Sequence, residues 1–440
     1  MEWLVLGAFC AGLVLCIASG HSILYALGFG LIIFMLYGRH KGFAWRELIR
    51  MALNGIRMVR SILVTFFLIG IMTALWRAAG TIPFIVCHAA TLIHPSAFLL
   101  MTFLLNCGLS VLTGTSFGTA ATMGVICASM GAAMQVSPIL TGGAVLSGSY
   151  FGDRCSPVST SALLVAALTG TNIYSNIRAM LRSALAPFLA ACLIYFLLGR
   201  QLSGGGAVMD LEALFSRSFR LSWITLMPAA VIFLLAVLRV NVKLAMGASI
   251  LTALPICLTL QGQPPALLFH AAAMGFTPAD AGTSAMISGG GMISMANAAC
   301  IVCLSSSYTE LFSKTGLLDN ARQLAAAIAR RTSAYAAMLL SSALSGMVAC
   351  NQTLTILLCH QLCRGAYDDA GQLALDLEDS AVVIAPLVPW SIAGAVPLAA
   401  ADAPTAAILA SFYLILLPLW RLAGSLIEKR RTPKALRRAG

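Results

Sequence analysis

The residues that could do chemistry in this chain are a few acids placed beside long apolar segments. Asp153 follows a glycine-rich apolar run and precedes Ser156, while Glu378 and Asp379 begin a second apolar run. Ionisable groups inside apolar segments are costly and usually lie on the path of an ion or a proton. We therefore expect these three acids to bind a transported cation or proton. The alternative is that they cap helices near a membrane surface.

The surroundings of these acids suit that chemistry. Two neighbouring carboxyls in a partly dry place influence each other's ionisation, which favours a proton-coupled or sodium-coupled step. Pro157 disfavours helix at Ser156, so backbone carbonyls near Asp153 become available as ligands. Arg154 is expected to be the counter-ion of Asp153 or to bind a substrate carboxylate, and the remaining acids, Asp376 among them, are expected in loops.

Two small polar stretches interrupt apolar runs in a similar way. Their polar residues are Thr113, Thr115 and Ser116 in the first stretch, and Asn351, Gln352 and Thr353 in the second. Irregular backbone inside a membrane survives only where it lines a cavity or is buried in protein. Hydroxyl, amide and freed carbonyl oxygens could bind Na⁺, and helix N-termini suit a carboxylate. The alternative for the first stretch is that its small residues only allow close helix packing.

Composition places these residues in a membrane. The chain has 440 residues, of which 60% are hydrophobic and 10% are charged, and its mean hydropathy is +0.92. A soluble globular domain carries about 25% charged residues. The chain cannot cover a water-facing surface, so a polytopic membrane protein is the expected class.

The apolar runs predict an all-α membrane fold. Because about 20 apolar residues cross a bilayer, the runs between residues 3 and 424 predict about 10–12 transmembrane helices. Several runs are too short to cross alone, so we expect two or more broken or re-entrant segments.

The charges of the chain indicate its orientation. The net charge is +12, and many basic residues lie in two clusters, which are Arg39, Lys41, Arg46, Arg50, Arg57 and Arg60, and the tail from Lys429 to Arg438. The positive-inside rule makes both clusters cytoplasmic. They flank apolar spans and form no groove-binding module, so nucleic acid is not expected as a partner. Basic residues near 199–220 and 239–243 conflict with the rule, which leaves the topology of that region open.

Other chemistries find little support. The 13 cysteines are scattered, and the spacings Cys300/Cys303 and Cys359/Cys363 are the only metal-like ones. Small buried cysteines are the expected reading, with no metal site and no cofactor. The sequence has no HExxH or GxSxG motif for an enzyme and no repeated filter for a channel.

An internal repeat is suggested by the position of the polar breaks. Thirty-five residues separate Gly80 from Thr115, and the same number separates Gly316 from Asn351. Corresponding interruptions in two halves point to a transporter binding site built from a repeat, although chance is the alternative. The expected organisation is an N-terminal hairpin and basic loop (1–60), a first repeat (61–198), a linker with connecting helices (199–285), a second repeat (286–424) and a basic cytoplasmic tail (425–440).

Several long motifs resemble one family. TGTSFGTAATMGV, SGSYFGDRCSPVS, GGMISMANAACIV, KTGLL and LEDSAVVIAPLVPWSIAG are similar to segments of the NhaC-type sodium/proton antiporter family, within the ion transporter superfamily. The resemblance runs in order from about residue 60 to 424. It implies two inverted repeats, each with a re-entrant hairpin and a broken helix, and transport driven by an ion gradient. The positions that it implies for the site are Thr113, Thr115, Ser116, Asp153, Ser156, Pro157, Glu378 and Asp379.

The chain departs from the family at several polar positions. Thr160 and Leu163 stand where an acid and an amide are usual, Asn351 stands where an acid is common, and Ser391 replaces an amide. With fewer carboxyl groups, the chain is less suited to the exchange of cations alone. The neutral amide of Asn351 suits an organic solute better. Both functions therefore stay open: Na⁺/H⁺ antiport, or a Na⁺- or H⁺-coupled carrier of a small amino acid or organic acid.

The sequence thus predicts a secondary active transporter, not an enzyme, in the bacterial plasma (inner) membrane. The two polar tips, near 113–119 and 350–353, should meet at the midplane of the membrane, with Asp153 and the Glu378–Asp379 pair nearby. The transporter should work by alternating access. Its partners should be Na⁺, H⁺ and the lipid bilayer, with a homodimer as the expected assembly. The solute, the stoichiometry and the direction of coupling are not determined by the sequence.

Overall fold

The fold is helical throughout the part of the chain that can be described. The computed structural model describes residues 2–18, 21–92, 95–202, 215–238, 240–280, 283–284, 287–316 and 333–436. Within these ranges the only β pairing is an isolated bridge between Phe276 and Gly289. The expected all-α class is therefore confirmed, while the glycines 204–206 of the predicted linker lie outside the described residues.

Besides five short 3₁₀ segments, twenty helices make up the architecture within the described ranges. Those of the first half are α1 (Glu2–Ala18), α2 (Ile23–His40), α3 (Trp45–Met58), α4 (Arg60–Ala78), α5 (Thr81–Leu92), α6 (Phe98–Thr113), α7 (Ser116–Ala133), α8 (Pro138–Cys155), α9 (Thr160–Thr169) and α10 (Ile173–Leu202). Those of the second half are α11 (Trp223–Val237), α12 (Val242–Leu260), α13 (Pro265–Met274), α14 (Ala296–Thr315), α15 (Ala334–Ala349), α16 (Gln352–Cys363), α17 (Ala370–Glu378), α18 (Ala381–Ile384), α19 (Ile392–Ala400) and α20 (Phe412–Leu436).

Several of these helices have the length and composition of membrane spans. Within the described residues, five are long and apolar enough to cross a bilayer alone, including α4, α7, α10 and α12. A sixth span would be the bent pair formed by 370–387 and 392–400, whose two parts meet at an angle of 61°. The number of crossings, about 10–12 by the length rule, stays a prediction.

The first helical hairpin consists of α6 and α7. Its tip is at Gly114, whose φ of +66° is accessible to glycine and lets the chain leave α6. Thr115 then caps α7, because its Oγ1 accepts a hydrogen bond from the Gly118 amide at 3.0 Å. Asn106 contacts Cys127 across the hairpin at 3.6 Å, so the two helices run antiparallel.

The second hairpin, α15 and α16, repeats this construction. Cys350 takes a φ of +54° at the tip, and the Oδ1 of Asn351 accepts from the Leu354 amide at 2.9 Å. Ser342 contacts Cys359 at 3.5 Å across the hairpin. The tips at Gly114 and Cys350 are separated in sequence by the same distance as Gly80 and Gly316, two helix-terminating glycines with positive φ.

Helices α10 and α20 pack antiparallel and define the two ends of the bundle. Tyr195, in the second half of α10, donates a hydrogen bond to the Ala410 carbonyl at 2.8 Å, just before α20 begins. Ser183, nearer the start of α10, binds Asp379, which in turn pairs with Arg421 well inside α20.

The bases of the two hairpins lie towards opposite ends of this helix pair. A Cβ on Gly199 would lie 2.3 Å from the Ser96 carbonyl oxygen, so the base of the first hairpin lies at the C-terminal end of α10. The Ser333 hydroxyl lies 3.0 Å from that of Ser425, so the base of the second hairpin lies beside the second half of α20, one turn beyond Arg421. An inverted repeat would give this arrangement, and the inversion itself stays a prediction.

Each half also contains a broken helix whose break contacts the tip region of a hairpin. Between α8 and α9, Ser156 Oγ donates to the Val111 carbonyl of α6 at 2.7 Å. Between α18 and α19, Trp390 Nε1 donates to the Met347 carbonyl of α15 at 2.8 Å. Val111 and Met347 each lie three residues before the left-handed residue of their tip, so the two contacts are equivalent.

Glycines hold α8 directly against α6. A Cβ on Gly148 would lie 2.6 Å from the Asn106 Cβ, and a Cβ on Gly152 would lie 2.1 Å from the backbone of Ser110. Ser110 Oγ also donates to the Ser149 carbonyl. Small residues four apart let helix backbones approach closely, so close packing is the role of this glycine stripe.

We expect Gly152→Ala to lower the melting temperature of the detergent-solubilised protein by several degrees, because the added methyl group collides with the α6 backbone. Overpacking typically costs about 1–3 kcal/mol. Gly108→Ala is the matched control, since nothing lies within 4 Å of a Cβ at that position on α6. Equal melting temperatures for the two variants, measured by intrinsic fluorescence, would contradict the packing.

Candidate functional site

The Asp153 carboxylate lies at the meeting point of the two halves. It is 3% exposed, and its Oδ2 accepts hydrogen bonds from Gln352 Nε2 at 2.8 Å and from Ser161 Oγ at 3.1 Å. Ser159 Oγ lies 3.4 Å from Oδ1, and the backbone amide of Ser116 is close enough to the carboxylate to act on it electrostatically. All of these groups are donors, so Asp153 is surrounded as an anion would be.

Three helices begin around this carboxylate. Ser116 is the first residue of α7, Ser161 lies in the first turn of α9, and Gln352 is the first residue of α16. Helix N-termini carry a partial positive charge that favours an anion. Asp153 therefore contacts the tips of both hairpins, at the positive ends of their second helices.

Arg154 does not pair with Asp153, which corrects the expectation from their adjacency. Its side chain is fully buried and points the other way, where Nη2 binds Asp379 Oδ1. The same guanidinium donates to the Met180 carbonyl at 3.2 Å and to Ser183 Oγ at 2.8 Å. Arg154 and Asp153 are consecutive residues of α8, and consecutive side chains on a helix do not face each other.

The expectation that Asp376 lies in a loop is wrong. It is 2% exposed in α17, and its Oδ1 pairs with Arg421 Nη2 at 2.7 Å. Arg421 Nε also lies 3.0 Å from Asp379 Oδ2. Asp379 is thus held between two guanidinium groups, which makes it part of an ion-pair network joining α8, α17 and α20.

Glu378 differs from every other acid of this region. It is fully buried, and neither of its carboxyl oxygens has a hydrogen-bond partner among the residues that the structure describes. Asp153, Arg154 and Asp379 are close enough to act on it electrostatically. A buried charged group without a partner is costly, so this position is suited to a group that gains and loses a proton or a cation.

The charges of the buried cluster do not balance in the described part of the chain. Its carboxyl groups are those of Asp153, Asp376, Glu378 and Asp379, and its guanidinium groups are those of Arg154 and Arg421. The ion pairs use both guanidiniums on Asp376 and Asp379. Asp153 and Glu378 are therefore the two acids for which protons or metal cations could supply the missing positive charge.

The hydroxyl and amide candidates divide into two groups. The side-chain oxygens of Thr115 and Asn351 accept the hydrogen bonds that cap their helices. Thr113 Oγ1 lies 3.2 Å from the Thr119 hydroxyl within the first tip. Thr353 is exposed. Of the neutral candidates, the Gln352 side chain and the Ser116 backbone contact Asp153, while Ser156 links the break to the first hairpin.

Ser159 and Ser161 were not among the predicted site residues. Ser159 caps α9 through the Ala162 amide at 3.3 Å, and both hydroxyls also lie within hydrogen-bond distance of the Asp153 backbone carbonyl, which shares their single protons with the carboxylate. The signal that could have found them is the spacing of serines after Pro157, which is typical of a helix N-cap. At the positions where the family usually has an acid and an amide, Thr160 and Leu163 are exposed.

Comparisons with known proteins match the chain to one family. The sequence profile of the Na⁺/H⁺ antiporter family matches residues 2–169 and 148–419. The Na⁺/H⁺ antiporter NhaC of Alkalihalophilus pseudofirmus is 26% identical over 376 residues, which cover 83% of this chain and 81% of that protein.

Two other relatives carry organic solutes by name. The malate-2H⁺/Na⁺-lactate antiporter of Bacillus subtilis is 26% identical over 375 residues, 81% of this chain and 79% of that protein. The arginine/ornithine antiporter ArcD of Halobacterium salinarum is 25% identical over 392 residues, 86% of this chain and 81% of that protein.

The family match covers both hairpins, both broken helices and the buried acids. Its members are antiporters, which move solutes across membranes, and the apolar helices described above fit a multi-pass membrane protein. This chain belongs to the Na⁺/H⁺ antiporter family.

Proposed function

We propose that this chain exchanges Na⁺ for H⁺ across the bacterial plasma membrane, with Asp153 and Glu378 as the shared site. The observation that carries the proposal is the fully buried Glu378 carboxyl, which has no partner among the described residues. It lies in a cluster whose two guanidiniums are already paired with other acids. Family membership supports the same function.

Competition between a proton and Na⁺ follows from the cost of buried charge. With Asp153 ionised and held by donors, an ionised Glu378 would add a second uncompensated negative charge nearby. Either a proton on a carboxyl or a Na⁺ ion next to the carboxylates would remove that cost. Because one cation makes the other less favourable, binding of Na⁺ on one side would release a proton, and the reverse would hold on the other side.

The oxygen atoms around Asp153 suit Na⁺. Carboxylate, hydroxyl and backbone carbonyl oxygens at broken helices are the ligands that transporters use for this ion. The Asp153 carboxylate, its carbonyl and the hydroxyls of Ser159 and Ser161 lie together at such a break. We assign Na⁺ to these groups and the exchanged proton to Glu378 and Asp153.

The hairpins supply a route for alternating access. Their bases lie towards opposite ends of the α10–α20 pair, Gln352 at the tip of the second donates to Asp153, and Ser116 at the tip of the first lies close to the same carboxylate. Movement of one hairpin at a time would open the site to one side while the other hairpin keeps the opposite side closed. We also propose that the protein forms a homodimer, which a measurement of its mass in detergent would test.

A second candidate function is a Na⁺- or H⁺-coupled carrier of a small amino acid or organic acid. The observation in its favour is the neutral side-chain amide of Gln352, which donates to Asp153 at 2.8 Å. An amide can bind the polar groups of an organic solute in the same way as it binds this carboxylate. The two relatives named for organic solutes support it. Its mark is proton movement that begins only when such a solute is added.

We expect Asp153→Asn to abolish Na⁺-driven proton movement, because it removes the anion that would attract Na⁺ to the tips. The measurement uses purified protein in liposomes that contain a pH-sensitive dye, with an imposed Na⁺ gradient and no other solute. Asp368→Asn is the control, since Asp368 is exposed on a connecting turn. Undiminished proton movement in Asp153→Asn would remove Asp153 from the site.

We expect Glu378→Gln to reduce Na⁺-driven proton movement at least tenfold and to flatten the pH dependence of what remains. Glutamine has the shape of the protonated acid but cannot release a proton, so the exchange cycle would stop after Na⁺ binds. The assay is repeated over a range of pH, with Glu47→Gln, an exposed position on α3, as the control. A pH profile equal to that of the parent protein would show that Glu378 carries no exchanged proton.

The ion-pair network makes a separate prediction about stability. Arg154→Gln leaves Asp379 buried with one fewer cation, and breaking such a pair costs on the order of 3–5 kcal/mol. We expect a marked fall in melting temperature, with partial recovery in the double variant Arg154→Gln/Asp379→Asn. If the double variant is no more stable than the single one, the pair is not the source of the loss.

A further inference from the structure

A vestibule distinct from the Asp153 site lies at the other end of α8. It consists of a cavity of about 100 Å³ and an adjoining cavity of about 530 Å³. Both are lined by Pro138, Ser294, Met295, Ala399 and Asp402, so the two cavities share part of their wall. We call the pair of cavities the vestibule.

The vestibule is remote from the ion site and faces away from the basic cluster. Twelve residues of α8 separate Thr141, in its wall, from Asp153, which at 1.5 Å per residue is about 18 Å. Arg77 lies at the end of α4 that is opposite Arg60, about 25 Å away by the same rule. Since the positive-inside rule predicts that the cluster containing Arg60 is cytoplasmic, it also predicts that the vestibule lies on the extracytoplasmic side.

The guanidinium of Arg77 lies in the wall of the smaller cavity, and not all of its N–H groups have a hydrogen-bond partner among the described residues. Its Nη1 donates to the Thr73 carbonyl at 3.3 Å, while its buried Nε has no hydrogen-bond partner in the described part of the chain. Thr141 Oγ1 in the same wall is also buried without a partner among the described residues. Buried polar atoms of this kind are rare in folded proteins, and each calls for an explanation such as an unseen ligand.

Asp402 brings the opposite charge to the same space. Asp402 is exposed, and its carboxylate forms no ion pair or hydrogen bond with any residue that the structure describes. In particular, no ion pair joins it to Arg77, although both line the smaller cavity. The vestibule therefore holds one guanidinium and one carboxylate that are close enough to interact electrostatically but form no contact ion pair.

We infer that the vestibule binds a small α-amino acid, with its carboxylate on Arg77 and Thr141 and its ammonium group on Asp402. A guanidinium and a hydroxyl are donors that match a carboxylate, and a carboxylate matches an ammonium group. An organic acid would satisfy Arg77 but would place a like charge near Asp402. A solute with both charges is the one that satisfies all three groups.

The size of the smaller cavity restricts the side chain of this solute. A water needs about 10–15 Å³ of space by the same measure, so a cavity of about 100 Å³ holds roughly as many heavy atoms as glycine, alanine or serine. Its remaining wall includes Ile69, Ile82 and Val125, which leave room for a small apolar or hydroxyl side chain. The inference does not depend on Na⁺/H⁺ exchange at Asp153.

The test is L-alanine binding to the purified full-length protein in detergent, measured by radioligand binding. We expect saturable binding to the parent protein, and at least a tenfold loss of affinity in both Arg77→Gln and Asp402→Asn. Asp402 is exposed, so its variant should fold normally even if Arg77→Gln is unstable. Arg46→Gln and Asp368→Asn, at exposed positions away from the vestibule, serve as matched controls and should bind L-alanine like the parent protein.

Two results would overturn the inference. One is absence of saturable L-alanine binding, or binding that neither variant weakens. The other is lactate binding as tight as that of L-alanine together with no effect of Asp402→Asn, which would indicate a site for carboxylates alone. Proton movement in a Na⁺ gradient without amino acid is measured on the same variants, so a failure of ion exchange is recognised independently of a failure of amino acid binding.

Discussion

The hydrogen bond between Asp153 and Gln352 is the contact on which the functional arrangement depends. It joins the break of the first half to the hairpin tip of the second at 2.8 Å, while the Ser116 amide, at the tip of the first hairpin, is close enough to act on the same carboxylate electrostatically. Three helix N-termini surround one anion, so each half is held near the centre by electrostatic attraction to the same group. A cation or a proton that binds the Asp153 carboxylate would weaken the hydrogen bonds through which this carboxylate holds the two halves together.

The neighbouring acids serve two different purposes, although they are adjacent in sequence. Asp379 is committed to Arg154 and Arg421, and Tyr335 donates to its backbone carbonyl at 2.9 Å. Glu378 is equally buried but has no such commitment among the described residues. A buried ion pair next to an unpaired acid separates the structural charge from the exchangeable one, because neutralising Glu378 leaves the network around Asp379 intact.

Much of the fold could be predicted because its signals are local. The glycine at 114 and the amides at 351–352 mark chain breaks wherever they occur in an apolar segment, and both breaks are hairpin tips in the structure. The partner of Arg154 could not be predicted, since it lies 225 residues away and nothing local distinguishes Asp379 from Asp153. Asp376 was misplaced because α17 is short, and the vestibule depends on tertiary contacts that no single segment records.

The cap at Asn351 has a consequence for how such a site changes over time. Its Oδ1 holds the Leu354 amide at 2.9 Å, a task that an aspartate would perform about equally well. The side-chain nitrogen of Asn351 also donates to the Ala349 carbonyl at 2.9 Å, and an aspartate, which has no donor, would lose that bond. A single substitution there would therefore add one negative charge next to Gln352 at the cost of one hydrogen bond, while the start of the helix would keep its cap.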